Sequence, residues 1–160
     1  MSVLFETEKL RVRTFRPEDA EDALAWLGDG EVMRYVEEPF DLEKTEAFLA
    51  AHGLTGKPRV YAVEEKDSGR LTGHLIFHPY DEDSYELGWI LAKDFWNKGY
   101  ASMLTEAAIA FAGKQGIPYL VIECGRRQNA SIALARKYGF TADGSEDGLL
   151  RFRRTVKEDI

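Results

Sequence analysis

Between Tyr85 and Glu123 the hydrophobic pattern changes period twice, which restricts the chain to few architectures. YELGWIL reads as a strand. A loop containing Gly99 follows, and from about Lys98 to Gly113 the apolar residues Tyr100, Leu104, Ala107, Ala108 and Phe111 recur at the spacing of one helical face. The stretch Tyr119 to Glu123 opens with YLVI, a continuous apolar run suited to a sheet interior. Two strands joined by a crossover of this length favour parallel pairing, and hence a mixed sheet.

The loop has a chemistry of its own. A glycine-bearing loop that opens a helix leaves first-turn N–H groups unpaired at the positive end of the helix dipole. Such a place attracts an anion, and Gly99 lets the backbone approach it closely. Neither G-x-x-x-x-G-K-[ST] nor G-x-G-x-x-G occurs, which argues against a P-loop nucleotide or a Rossmann dinucleotide. One glycine at a helix start does not by itself identify a ligand.

The remaining sequence supplies antiparallel strands and further helices. Lys9 to Phe15 alternates, with Leu10, Val12 and Thr14 on one face and Arg11 and Arg13 on the other, as in a half-buried strand. Pro17 at a first helical position, acids at Glu18, Asp19, Glu21 and Asp22, and a closing Gly28 frame an amphipathic helix. Asp29 to Phe40 is irregular, and Asp41 can cap a second helix ending near Gly53. Val60 to Glu64 and Leu71 to His78 form a hairpin across KDSGR, and Tyr80 to Ser84 turns the chain into the strand at Tyr85. Asn129 can cap a short helix through Tyr138, stopped by Gly139. Phe140 and Thr141 begin a strand, Asp143 to Gly148 read as a polar turn, and Leu149 to Val156 alternates as the last strand. The prediction is one α+β domain over residues 1–160, with a mixed, mostly antiparallel central sheet of six to seven strands and about four helices.

With 44% hydrophobic and 31% charged residues, a chain of 160 can bury a sizeable core without staples. Its 28 acidic and 21 basic residues give a net charge of −7, which argues against nucleic acid as a partner. MSVLFETEKL lacks a secretory-leader layout and no apolar run approaches a membrane span, so a cytoplasmic protein with no membrane partner is expected. Cys124, the single cysteine, reads as a small hydrophobe at a strand end. His74 and His78 are four apart, but on a strand that interval spans roughly 13 Å, too far to share one ion. No metal is expected, and His78 is a candidate for the acceptor side.

Three ordered motifs carry a family resemblance. FETEKLRVRTFRPEDAEDAL, YELGWILAKDFWNKGYASML and QNASIALARKYGF resemble the opening strand and helix, the strand and glycine loop, and the Asn-x-x-Ser helix of the GNAT superfamily of acyl-CoA N-acyltransferases. Within it the chain is similar to the RimJ/RimL-like, ribosomal-protein-alanine acetyltransferase branch, over nearly its whole length. The resemblance implies a V-shaped split between the strands before and after the central helix, with acyl-CoA in the gap. It assigns the pantetheine arm to Trp89, Ile90 and Leu91. It assigns the pyrophosphate to the amides of Asn97, Lys98, Gly99, Tyr100 and Ala101, with the Ser102 hydroxyl beside them. Lys98 and Arg126 either add charge there or are solvated surface cations. The implied cosubstrate is acetyl-CoA, and the implied acceptor is a primary amine, either a protein N-terminus or a small cationic molecule.

An amine must be neutral when it attacks, whereas alkylamines are mostly protonated near neutral pH. The resemblance therefore implies a general base, near a strand bulge, at the position of Glu86. A solvent-facing or salt-bridged glutamate is the competing reading. Ser131 matches the branch's serine and could hydrogen-bond the leaving sulfur, with a merely polar first turn as the alternative. The family's Asn falls on Gln128, with Asn129 next to it, and both are candidate CoA contacts. Many relatives carry a tyrosine acid where this chain has Ala135, and Tyr138 reads as packing. Asn97 replaces the loop's usual glycine. These departures keep open a non-catalytic acyl-CoA-binding module, as well as transfer of a longer acyl group. Exposed strands leave a homodimer open.

Overall fold

The period change at Tyr85 becomes a right-sized crossover in the computed structural model, which describes residues 2–156. Strand β5 (Ser84–Leu91) leads through helix α3 (Tyr100–Lys114) to β6 (Tyr119–Gly125), and β5 and β6 pair in parallel. All other neighbours pair antiparallel: β1 (Val3–Glu6), β2 (Leu10–Arg13), β3 (Val60–Glu65), β4 (Leu71–Pro79), β7 (Thr141–Glu146) and β8 (Leu149–Thr155). The sheet order is β1-β2-β3-β4-β5-β6-β8-β7. Helices α1 (Ala20–Leu27), α2 (Leu42–His52) and α4 (Asn129–Lys137) complete the α+β domain. No helix among the described residues is long and apolar enough to cross a membrane.

Among the described residues the sheet has eight strands, one beyond the six to seven or so expected. The extra one is β1, whose four residues are too few to show alternation and which is held at the edge by its register with β2. A second correction concerns the end of the chain. Most of the expected turn at Asp143 to Gly148 is strand β7, and only Asp147 and Gly148 turn, with φ of 51° and 79°. Left-handed geometry at both central residues is what a two-residue hairpin needs, and Asp-Gly supplies it. Strand β7 is almost wholly exposed, and its register with β8 shifts between Ala142 and Ser145.

Alternation along β4 assigns the helices to the two faces of the sheet. On the even face, His74 packs against Trp26 of α1 and Phe48 of α2, with ring centroids 6.2 and 5.6 Å away. On the odd face, Phe77 meets Phe111 of α3, which in turn meets Phe5 of β1. The Trp26 indole N–H donates to His74 Nδ1 at 2.8 Å, and burial pushes the imidazole down to about 4, so the ring is neutral. A neutral histidine thus satisfies the one polar atom of a fully buried tryptophan.

Arg13, expected on an outward face, is 2% exposed. Its guanidinium grips Asp19 in bidentate fashion at 2.9 and 3.2 Å and donates to the Thr14 carbonyl at 3.0 Å. The same Asp19 carboxylate accepts the Arg16 N–H at 2.8 Å. This cluster ties β2 to the 3₁₀ turn Pro17–Asp19 that starts α1. Without Asp19 the buried Arg13 guanidinium keeps only one carboxylate contact, Glu64 at 3.4 Å, so Asp19→Ala should lower the unfolding free energy by about 3 kcal/mol in denaturant titrations. The apolar double replacement Arg13→Met with Asp19→Leu should lose much less.

Candidate active site

The β5–β6 ladder lasts for only three pairs, Ser84↔Tyr119, Tyr85↔Leu120 and Glu86↔Val121. Both strands run on, β5 beside β4 as far as Leu91↔Gly73 and β6 beside β8 as far as Gly125↔Leu149. A gap opens between them just past Glu86. The Tyr119 N–H donates to the Asp83 carbonyl at 3.2 Å, so odd-numbered residues of β5 direct their peptide groups toward β6. By that parity Trp89 and Leu91 edge the gap, with the Leu91 carbonyl already taken by the Trp96 indole N–H at 2.9 Å. Ile90 differs from its neighbours: its peptide groups face β4 and only its side chain lines the cleft.

The gap does not arise from a bulge in β5. Its register with β4 is continuous from Gly73↔Leu91 to Pro79↔Tyr85, which corrects the expectation of a bulge near Glu86. The close approach at its end depends instead on Gly73. A Cβ there would lie 2.0 Å from the Ile90 carbonyl oxygen and 2.9 Å from the Leu91 Cα, both main-chain atoms that cannot swing aside.

Between β5 and α3 the chain makes a 3₁₀ turn (Lys93–Phe95) and two left-handed residues, Asn97 at φ 62° and Gly99 at φ 78°. Asparagine is among the few side chains that tolerate this conformation. Helix α3 starts at Tyr100 with no capping side chain and no acid in its first turn. The N–H groups of Tyr100, Ala101 and Ser102 thus have no intrahelical acceptor, and no acid of the first turn opposes the positive helix end. Nothing stands within 4 Å of where a Gly99 Cβ would be, so the approach is open. The loop is anchored from below. Phe95 is buried and stacks on the Tyr100 ring at 6.3 Å, with the Lys98 ammonium 5.3 Å above the Phe95 ring. The Tyr100 hydroxyl donates to the Glu65 carboxylate on β3, which pushes the phenol up to about 12 and holds the carboxyl below its usual range. These features fit an anionic group held by main-chain amides.

Two cavities meet at Glu86. The first, about 230 Å³, follows the gap and is lined by Glu86, Gly88, Trp89 and Ile90 from β5, by Glu123 and Cys124 from β6, and by Gln128 and Ser131. The second, about 300 Å³, lies under α1 and α2 and includes Arg59, His74, His78 and again Glu86 and Ile90. Glu86 Oε1 is 3.3 Å from His78 Nε2, and Arg59 Nη2 is 3.4 Å from the same nitrogen. His78 Nδ1 donates to the Pro79 carbonyl at 2.9 Å, which leaves Nε2 as the acceptor in the neutral ring. The Glu86 carboxylate and His78 Nε2 thus place two hydrogen-bond acceptors side by side where the cavities join.

Two charged residues escaped the sequence reading. Glu123 lines the gap opposite Glu86, and burial followed by the Glu86 charge raises its carboxyl above the usual range. An acid interrupting the buried run YLVIEC was the available signal. Arg59 gave no signal beyond being a cation before a strand.

Among the remaining candidates, Ser131 reaches the first cavity from the first turn of α4. Gln128 also lines it, but its Oε1 accepts the Gly125 N–H and closes the β6–α4 turn, leaving its NH2 group for another partner. Gln128, not Asn129, is the N-cap residue, and Asn129 is exposed on the first turn. Arg126 is exposed as well. Ala135 is fully buried, and Tyr138 packs against the core. Cys124 is buried, which pushes its thiol up.

Comparison with known proteins bears on this geometry. The profile of the acetyltransferase (GNAT) domain matches residues 9–141. An uncharacterised N-acetyltransferase of Bacillus subtilis (strain 168), YnaD, is 28% identical over 141 residues, covering 86% of this chain and 82% of that protein. A GNAT-family acetyltransferase of Bacillus anthracis superposes with a TM-score of 0.87 at 24% identity, over 99% of this chain and all of that one. RimL, a ribosomal L7/L12 α-N-protein acetyltransferase solved with coenzyme A, superposes with a TM-score of 0.82 at 20% identity over 99% of this chain and all of that one.

The anchor beneath the loop is testable by itself. Tyr100→Phe should lower stability by about 1–2 kcal/mol at neutral pH. The sign follows from the two shifts. A lowered Glu65 gives stabilisation present above its unfolded value near 4.5 and lost as pH falls through the folded one, and a raised Tyr100 gives stabilisation lost between about 10 and 12. Denaturation midpoints of wild type and Tyr100→Phe should thus converge in acid.

Proposed function

The chain belongs to the GNAT acetyltransferase domain family, and from that premise we propose that it transfers an acetyl group from acetyl-CoA to a primary amine. The observation that carries the reading is the early end of the β5–β6 ladder, with an acid at the point of divergence and an uncapped helix start beyond it. When bound, acetyl-CoA supplies the thioester carbonyl to be attacked. The open amides of Tyr100 and Ala101, near Asn97, Lys98 and Gly99, hold the pyrophosphate, with the Ser102 hydroxyl in the same helical turn. The main-chain groups of Trp89 and Leu91 that face the gap hold the pantetheine arm as an added strand would be held, and Ile90 contributes apolar side-chain contact. Glu86, with His78 behind it, accepts the proton of the attacking amine, and Ser131 donates to the departing sulfur.

The first cavity suits the acyl donor and the second suits the acceptor, with Glu86 serving both. A catalytic reading is favoured over a binding module because Glu86 is largely buried, with 21% of its side chain exposed, yet has a titratable partner instead of a fixed cation. Thiol release from acetyl-CoA should require an amine. It should fall at least tenfold in Glu86→Gln, mainly in kcat, and at least tenfold in Gly99→Asp, mainly through KM for acetyl-CoA, because an acid at a left-handed position opposes the phosphates. Full activity in both variants would overturn the assignment.

A further inference from the structure

The second cavity holds one cation and one anion aimed at the same nitrogen. Arg59 is fixed at both main-chain groups, its N–H donating to the His52 carbonyl at 2.8 Å and its carbonyl accepting the Phe77 N–H at 3.0 Å. Its guanidinium lines the cavity and forms no ion pair with a carboxylate among the described residues. The other acid lining the cavity, Glu37, is occupied by Lys44 at 3.0 Å. Arg59 and Glu86 approach His78 Nε2 at 3.4 and 3.3 Å without touching each other. Their charges are therefore held apart by less than the two legs together. Leu27, Met33, Phe40, Phe48 and Ile76 make half of the remaining wall, which also includes His52 and His74.

We infer that the acceptor is a short zwitterion with an apolar side chain, an amino-acid-like molecule whose amine meets Glu86 and whose oxyanion meets Arg59. This rests on the acetyltransferase reading above. A guanidinium with no carboxylate partner recognises a carboxylate or similar oxyanion through paired N–H donors. The spacing of the two charges suits an amine and an oxyanion separated by a few bonds. A polyamine would set a second cation against Arg59, and a peptide N-terminus would offer it only a neutral amide. An amine acceptor therefore selects itself by charge at both ends, with the apolar wall left to hold its side chain.

The test measures kcat/KM at saturating acetyl-CoA for L-phenylalanine and L-leucine, their amides, and spermidine, in wild type, Arg59→Met and Arg59→Lys. For at least one of the two side chains the wild type should prefer the free acid over its amide tenfold or more, although a larger fraction of the amide's less basic amine is neutral at equal pH. That ratio should fall to within threefold of one in Arg59→Met and recover in part in Arg59→Lys. Equal or better use of the amides or of spermidine, or an acid-to-amide ratio unchanged in Arg59→Met, overturns the inference while leaving the acetyltransferase reading intact. Coenzyme A binding by calorimetry with turnover of none of these acceptors also overturns it. Absence of both CoA binding and turnover overturns both readings.

Discussion

Past Glu86 and Val121, β5 and β6 stop exchanging hydrogen bonds although each continues along an outer neighbour. Peptide groups left unpaired inside a sheet are normally satisfied by another strand, water or a ligand. The gap is therefore an internal edge, and its free groups are fixed by the sheet itself. Gly73 keeps the last residues of β5 in contact with β4, so the edge does not fold back into the gap. Helix α3 then starts nine residues after the last residue of that edge, Leu91, with an uncapped first turn, so main-chain groups and not specialised side chains characterise this part of the molecule.

The other half of the site depends on side chains, and these need a rigid floor. Trp26 and His74 provide it, one donating and the other accepting a single hydrogen bond under α1 and α2. Since His74 is neutral, the field in the second cavity is set mainly by Glu86 and Arg59, with His78 between them. The Arg13–Asp19 pair fixes where α1 begins, and through Trp26 the depth of that floor.

The period change from Tyr85 to Glu123, the glycine at φ 78° and the three ordered motifs were sufficient to read the central crossover, the open loop and the family. What escaped the reading depends on contacts between residues distant in sequence. Arg13 alternates outward on its own strand, and only the arrival of Asp19 buries it. Ile90 sits between two residues whose peptide groups edge the gap, yet its own face β4, a parity visible only once Tyr119 pairs with Asp83. Arg59 precedes a strand like many exposed cations, and its position follows from helices folding over the sheet. Asp143 to Gly148 contains enough turn-forming residues to obscure β7, and the Asp147–Gly148 pair marked the true corner.

Strand β7 leaves one flank of the sheet open, and its irregularity has a use. An outer strand that is straight and uncharged invites chains to add to it and grow into fibrils. Here the register shifts between Ala142 and Ser145, and Asp143 and Glu146 are paired with Arg151 and Arg153 of β8, so an incoming strand would meet broken spacing and a row of occupied charged side chains. Such an edge is a poor template for a further strand, whereas the internal gap keeps the regular spacing of the two strands that border it.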